Sequence, residues 1–597
     1  MNKRSQKAMN NAIRKFAAPM VALAGIPFAR RALCALAVLE VAVGAAAEEV
    51  MRSRLVPGAC ASFDRRLSEV TRIDKAAEYS WEALKTPEEV RRRQKELRKA
   101  FIAAVGGFPE KTPLEPVVTG VERRDGYRVE KVYFASRPGH HVTANLFLPD
   151  SPAFAAPYPA LLLPCGHYDN GKASRNYQRA CVQGVKAGFA MLIYDPIDQG
   201  EREQLPGEKR MCVAGHVNLG LRAHLLGWGM AQFRVWDGIR AVDYLETRKD
   251  VDSSRIGVMG QSGGGTLTSY LAALDERLKA SCPSCFVCSM RTLAEDWGPQ
   301  DCEQIVYGQL PTGLNHLSLM LMAWPRPVCL TLAEEDAFPF RGSLSTFASM
   351  KIFYNRFGTG ERADFLSAPG PHSWYESTRQ GSIEWMRRWL GGGGETLSKE
   401  ALAKLDERFS LDRVDCALAD DPKANVLPDG GVMALPGERT GYDVLREELA
   451  RIDRVGRPVL TRELVARASG IRVDAPLMPD EPPDYVRGTY WASAHSPAKE
   501  LAAMDAWLGV SYVARVAEQM IARARASGRR EKLVASGADC VAAAHAHFLA
   551  PELFDGLELS DPPPPWRAFL QNDVLDGLSY ETAVYGALRL YDWTELR

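Results

Sequence analysis

The sequence predicts an α/β fold, with a mostly parallel central sheet and helices on both faces. Three observations predict it. Short apolar, β-rich runs recur at residues 160–165, 190–194, 255–259, 327–333 and 363–367. Helical stretches at 230–247 and 377–390 lie among them, and buried strands alternating with helices are the pattern of a parallel sheet. The third is Gly260-Gln-Ser-Gly-Gly264, a G-x-S-x-G between the strand-like run at 255–259 and a small-residue helix at 266–273.

A sharp strand-to-helix turn with small residues around Ser262 pushes its hydroxyl out of the fold, where a base and a substrate reach it. That is the nucleophile elbow of the α/β-hydrolase fold. The elements follow in order. Residues 1–47 read as a signal peptide: Arg30 and Arg31 precede an apolar stretch from Ala32 to Gly44, and Ala45, Ala46 and Ala47 supply a small-residue cleavage site. That stretch is too short for a membrane span, so export to the periplasm or medium is expected, without membrane insertion after leader removal. Residues 48–115 read as an N-terminal helical extension, where Thr86-Pro-Glu-Glu89 opens a helix and Gly106-Gly107 stops it. The catalytic domain is expected over 116–395. It starts with antiparallel-type alternation at 127–135 and 141–148 before the parallel pattern begins. Residues 396–597 read as a C-terminal accessory domain. Its run at 532–537 and 541–549 is again strand, turn and helix, but Ala538-Asp-Cys540 fills the turn. It reads as a degenerate hydrolase-like unit without a nucleophile, or as an unrelated α/β domain.

In hydrolases of this fold the acid and then the histidine follow the serine in chain order. The strand at 327–333 ends in Glu334-Glu335-Asp336, which gives Asp336 as the acid and Glu335 as the alternative. Between the elbow and Gly391 only His316 and His372 occur, and His316 precedes the acid's strand, so His372 is the expected base. A serine hydroxyl is a poor nucleophile at neutral pH and needs a base to take its proton. An acid holds the imidazole tautomer. The tetrahedral oxyanion needs preorganised N–H donors; the backbone N–H groups of Gly263 and of His167, in the loop after the strand at 160–165, are the expected pair.

Competing motifs fail. The glycine run lacks the Lys-Ser/Thr pair of a phosphate loop. Cys282, Cys285 and Cys288 have the spacing of an iron–sulfur run, but Thr292 stands where the fourth cysteine belongs, which leaves buried free thiols. His140, His141, His216 and His224 show no zinc spacing, so neither metal nor cofactor is expected. The chain has 597 residues, enough for more than one domain, and a formal net charge of +0, which favours neither nucleic acid nor anionic membrane as a partner. Twelve cysteines are too sparse for a disulfide scaffold, and their pairing and the oligomeric state are unreadable.

Residues from about 80 to 395 resemble the bacterial acetyl xylan esterase-like and dienelactone hydrolase-like branch of the α/β-hydrolases. The resemblance rests on Phe108-Pro109, Val142-Thr-Ala-Asn-Leu146, Leu163-Pro-Cys-Gly-His167, Asp195-Pro-Ile-Asp-Gln-Gly-Glu-Arg202, Trp236-Asp237, Pro325-Arg-Pro327 and Pro371-His-Ser-Trp374. The family's usual glycine after the fourth strand is Asp198 here, and the glycine before the acid is Ala333. The resemblance implies a secreted serine esterase that removes ester groups, acetyl above all, from plant or algal polysaccharides through an acyl-enzyme. Its alternatives are a uronate or pectin methylesterase, a prolyl-oligopeptidase-type serine peptidase and a non-catalytic carbohydrate-binding hydrolase-like protein. A peptidase of that type would want a propeller, for which the region before Ala160 is too short. Arg202 and Trp374 are candidate substrate contacts, the guanidinium for a carboxylate or hydroxyl and the indole for a sugar ring; Glu201-Arg202 reads more readily as a structural ion pair that fixes the loop, and Trp374 equally as cleft wall.

Overall fold

The structure is a computed structural model and describes residues 61–150, 152–205, 212–299, 301–391, 425–427, 431–478 and 497–597. The expected signal peptide at 1–47 and most of the Gly391–Gly394 run lie outside the described residues. Two helices come first, α1 (Ala61–Glu82) and α2 (Pro87–Ala104). Thr86 caps α2 in a capping box with Glu89, and Pro87 takes the first turn, where its missing N–H costs nothing.

A nine-stranded sheet runs in the order β1 (Val117–Arg124), β2 (Tyr127–Arg137), β3 (His140–Pro149), β5 (Ala190–Tyr194), β4 (Tyr158–Pro164), β6 (Val251–Gln261), β7 (Leu278–Ser284), β8 (Val328–Glu335), β9 (Ala363–Pro371). The first three strands and β5 pair antiparallel; from β5 through β9 every pairing is parallel. Helices α3 (Arg175–Lys186), α4 (Cys212–Leu225), α5 (Met230–Thr247), α6 (Gly263–Leu274), α7 (Phe340–Arg356) and α8 (Glu376–Leu390) lie between and after the strands. This is the α/β-hydrolase fold. β5 is buried along its whole length, as a central parallel strand must be. β1 lies at the edge, is largely exposed, and lacks the apolar alternation that marks a strand in sequence.

Beyond β9 the described residues are mainly helical: α9 (Gly441–Val455), α10 (Pro497–Trp507), α11 (Tyr512–Ser527) and α12 (Asp539–Leu549). β10 (Glu531–Ser536) and β11 (Phe554–Ser560) pair in parallel across α12 as a two-stranded sheet. One continuous apolar core joins this segment to the sheet's helices: Leu219 and Phe233 share it with Tyr442, Leu445, Val513 and Trp593. Arg222 of α4, 2% exposed, donates to the carbonyls of Phe569, Asn572 and Leu575. Arg66 of α1 forms a two-bond ion pair with buried Asp505 of α10 at 2.9 and 2.7 Å.

Burial depresses the pKa values of His140 to about 4, His216 to about 3, His224 to about 3, His316 to about 4 and His545 to about 4. These rings are neutral in the fold but charge readily in the unfolded chain. Their contribution to stability is therefore present above pH 6.5 and is lost as pH falls towards 3–4, each on the order of 3 kcal/mol at the end of that range. Thermal unfolding followed from pH 7 to pH 4 should show Tm falling steeply below pH 6.5; a flat profile would contradict the neutral burial.

Candidate active site

The elbow is a consequence of close backbone approach. Ser262 has φ 59° and ψ −127°, outside the allowed regions for an ordinary residue. Its N–H donates to Ser284 O at 3.0 Å, which ties the turn to the end of β7. An added Cβ at Gly264 would stand 2.3 Å from Pro164 O, and one at Gly265 2.2 Å from Ser284 O. The glycines let α6 start directly against the ends of β4 and β7.

The loops after three strands bring the expected site residues together. His372 Nε2 lies 2.9 Å from Ser262 Oγ, and His372 Nδ1 lies 2.7 Å from Asp336 Oδ1. The same Asp336 oxygen accepts the Phe338 N–H at 2.9 Å, which fixes the carboxylate at the end of β8. Glu335 is exposed at the strand end and Asp336 is buried. His316 is buried elsewhere, its Nδ1 2.9 Å from Cys288 O.

His167 follows β4 and faces the elbow. An added Cβ at Gly166 would stand 3.4 Å from Ser262 Cβ, and one at Gly263 within 2.7–3.0 Å of three His167 ring atoms. Gln199 donates to Gly166 O and Tyr168 O at 2.7 Å each. The Gly166 carbonyl and the His167 N–H belong to one trans peptide and point oppositely, so the N–H is turned away from Gln199 and meets no protein acceptor among the described residues. Tyr177 of α3 accepts the Gly166 N–H and donates to Gln261 O, both at 2.6 Å, so its hydroxyl locks this loop to the residue before Ser262. The Gly263 N–H lies in the first turn of α6, where the helix offers no acceptor.

Two expected substrate contacts are corrected. Arg202 is 0% exposed; it donates to Asp237 at 2.7 Å and Asp195 O at 3.1 Å, and its other arm meets His140 Nε2 at 3.1 Å. His140 Nδ1 lies 2.7 Å from Arg439 O, so that side is closed as well. Trp374 is 1% exposed and packs edge-on against Tyr177 in the core. Both side chains are buried against protein groups rather than open to the surface. Asp198 has φ 62°, which accounts for the glycine usual there, and its carboxylate accepts the Gln204 N–H at 2.9 Å.

Gln199, Tyr177 and Cys285 were not assigned site roles from sequence. Gln199 sits inside the quoted Asp195–Arg202 run; Tyr177 carried no signal beyond an aromatic on a helix. Cys285, expected only as a buried thiol, has φ 52° and groups with Asp336 and His372 within 4.8 Å. Burial and then Asp336 push its pKa well up, which disfavours the thiolate. The described cysteines are all free and buried.

Residues 99–295 match the family model "Acetyl xylan esterase (AXE1)", and residues 227–391 match "Prolyl oligopeptidase family". The chain carries an acetyl xylan esterase-like α/β-hydrolase domain. The Bacillus subtilis (strain 168) protein YtaP, whose name places it only among hydrolases, is 24% identical over 313 residues, 49% of this chain and 99% of its own. Among solved structures, Methylesterase BT1017 is 22% identical over 64% of this chain and 81% of that one, with a TM-score of 0.49. A glucuronoyl esterase from Solibacter usitatus is 17% identical over 50% and 92%, with a TM-score of 0.40.

Replacing Arg202 by Met leaves Asp237 buried without its partner, which costs about 3–5 kcal/mol. Tm should fall while KM for a small aryl ester stays within twofold; a raised KM with unchanged Tm would restore Arg202 as a substrate contact.

Proposed function

We propose that this protein is an exported serine esterase that removes acetyl groups from plant or algal polysaccharides through an acyl-enzyme. The observation that carries this reading is the hydrogen-bonded chain Ser262–His372–Asp336, at 2.9 and 2.7 Å, within a domain that matches an acetyl xylan esterase model. His372 Nε2 takes the Ser262 proton as Oγ attacks the ester carbonyl. Asp336 keeps the other ring proton on Nδ1 and stabilises the imidazolium that forms. The N–H groups of Gly263 and His167 hold the oxyanion, each worth about 3–4 kcal/mol of barrier when well placed. His372 then returns its proton to the sugar oxygen, which leaves an acetyl-serine. Water, activated by the same imidazole, attacks that ester and releases acetate. The family match supports a carbohydrate substrate. Among the described residues no helix is long and apolar enough to cross a membrane; the signal-peptide pattern in the sequence at 1–47 supports action outside the cytoplasm.

Acetate and methanol released from acetylated xylan, acetylated pectin and methyl-esterified pectin test the reading, with Ser262→Ala as the control. Acetate should appear with the wild type, and the variant should lose roughly 10⁴-fold or more in kcat. Methanol instead would make it a uronate methylesterase. Neither product, together with inertness on aryl esters, would overturn the esterase reading.

A further inference from the structure

Against the elbow lies a buried charged cluster that the acyl transfer just described does not use. His167 Nδ1 stands 3.1 Å from Asp301 Oδ2, and His167 Nε2 stands 2.8 Å from Glu303 Oε1. Arg234 Nη1 lies 2.7 Å from that same Glu303 oxygen and 3.1 Å from His167 Nε2. The three atoms make a triangle with a single acceptor, Glu303 Oε1, on which both nitrogens converge as donors. With Nδ1–H donating to Asp301, the ring carries both protons. Two cations thus face two carboxylates in a site where an unpaired charge would be prohibitively expensive. Burial alone would lower the His167 pKa, but Asp301 and Glu303 outweigh it and raise it.

The ring is also a wall. It occupies the space over Gly263 that a side chain would need, at 2.7–3.0 Å from an added Cβ. One residue therefore bears on the first expected oxyanion donor with its side chain and supplies the second from its backbone. Arg234 reinforces the arrangement by donating to Cys165 O at 3.1 Å, two residues before His167.

We propose that the His167 side chain, clamped as an imidazolium between Asp301 and Glu303, is the positioning residue of the oxyanion hole. It sets the spacing of the Gly263 and His167 N–H groups and places positive charge beside the oxygen that becomes negative. This rests on the reading of Ser262 as nucleophile. The groups that face the ring are Asp301 and Glu303 from the 301–304 turn, Arg234 from α5 and His216 from α4, with His372 within electrostatic reach of Asp301. His216 is neutral, with its Nε2 on Ile197 O at 2.8 Å. Burial pushes Asp301 up to about 6, against the pull of His167. The clamp is therefore complete above about pH 6 and is lost when rising pH deprotonates His167.

The test is kcat and KM of the full chain on an aryl acetate as a function of pH, for wild type, His167→Ala, His167→Gln, Asp301→Asn and Ser262→Ala. His167→Ala should lower kcat roughly 10- to 100-fold with KM within twofold, and His167→Gln should restore only part of it, since it refills the space without the charge. Asp301→Asn removes one of the anions that hold the proton, so the alkaline limb of kcat should move to lower pH, a change that mere loosening of the fold would not produce. Full kcat in His167→Ala, or an unmoved limb in Asp301→Asn, would overturn the proposal, and the milder second variant decides the matter if the first does not fold. His167, His216 and Glu303 also place ligand atoms within 4.8 Å of one another; one equivalent of bound metal in the purified protein would overturn the imidazolium assignment. Wild-type turnover in Ser262→Ala would instead sink the underlying serine reading.

Discussion

Everything at this site depends on how closely the backbone of the β6–α6 turn is allowed to approach its neighbours. Side chains at Gly264 and Gly265 would run into Pro164 O and Ser284 O at 2.3 and 2.2 Å. With hydrogen there instead, the turn wedges between the ends of β4 and β7, and Ser262 is held at φ 59°. That conformation is uphill by roughly 1–3 kcal/mol for a non-glycine residue, and it persists because the surrounding packing permits nothing else. The strain lifts Oγ towards His372 and leaves the Gly263 N–H at a helix start without an internal partner. The proposed nucleophile and the proposed first oxyanion donor thus share one local geometry.

The His167 N–H, proposed as the second donor, is placed by a longer chain of constraint. Asp195, buried at the end of β5, accepts from Thr143 Oγ1 and Lys172 N at 2.7 Å and pairs with the Lys172 ammonium. Gly171 and Gly200 pass so near it that a Cβ on either would lie 2.1 or 2.4 Å from Asp195 Oδ1. This pinned loop presents Gln199, and Gln199 turns the Gly166–His167 peptide. A shift of about 1 Å along this chain would reorient the His167 N–H, and a proposed oxyanion donor is sensitive to a displacement of that size.

The sheet from β4 to β9, the elbow, and the histidine and acid that follow it were legible because each has a local signature: apolar runs, glycine spacing and chain order. β5 and α5 match their expected bounds. What was illegible depends on neighbours distant in sequence. Glu201 and Arg202 read as a pair in sequence, but in the fold Arg202 is held by Asp237, 35 positions away, and Glu201 pairs with Lys172. Trp374, two residues from His372, points inward because Tyr177 forms a wall there. Asp301 and Glu303 look like ordinary loop acids, and only the fold brings them to a histidine more than a hundred positions earlier. β1 escaped notice because an exposed edge strand has no apolar face to display.

The C-terminal segment belongs in the same argument. Glu201, part of the loop that presents Gln199, accepts the Val426 and Leu427 N–H groups at 2.8 and 2.6 Å. Gln204 accepts the Gly441 N–H at 2.6 Å, and Ile197 is buried in the core that Tyr442 and Leu445 complete. Among the described residues, then, this segment satisfies buried carboxylate and amide oxygens of the Asp195–Gln204 loop that would otherwise face a costly desolvated environment. Its physical contribution, on this geometry, is to supply hydrogen-bond partners to the loop that presents Gln199 to the Gly166–His167 peptide.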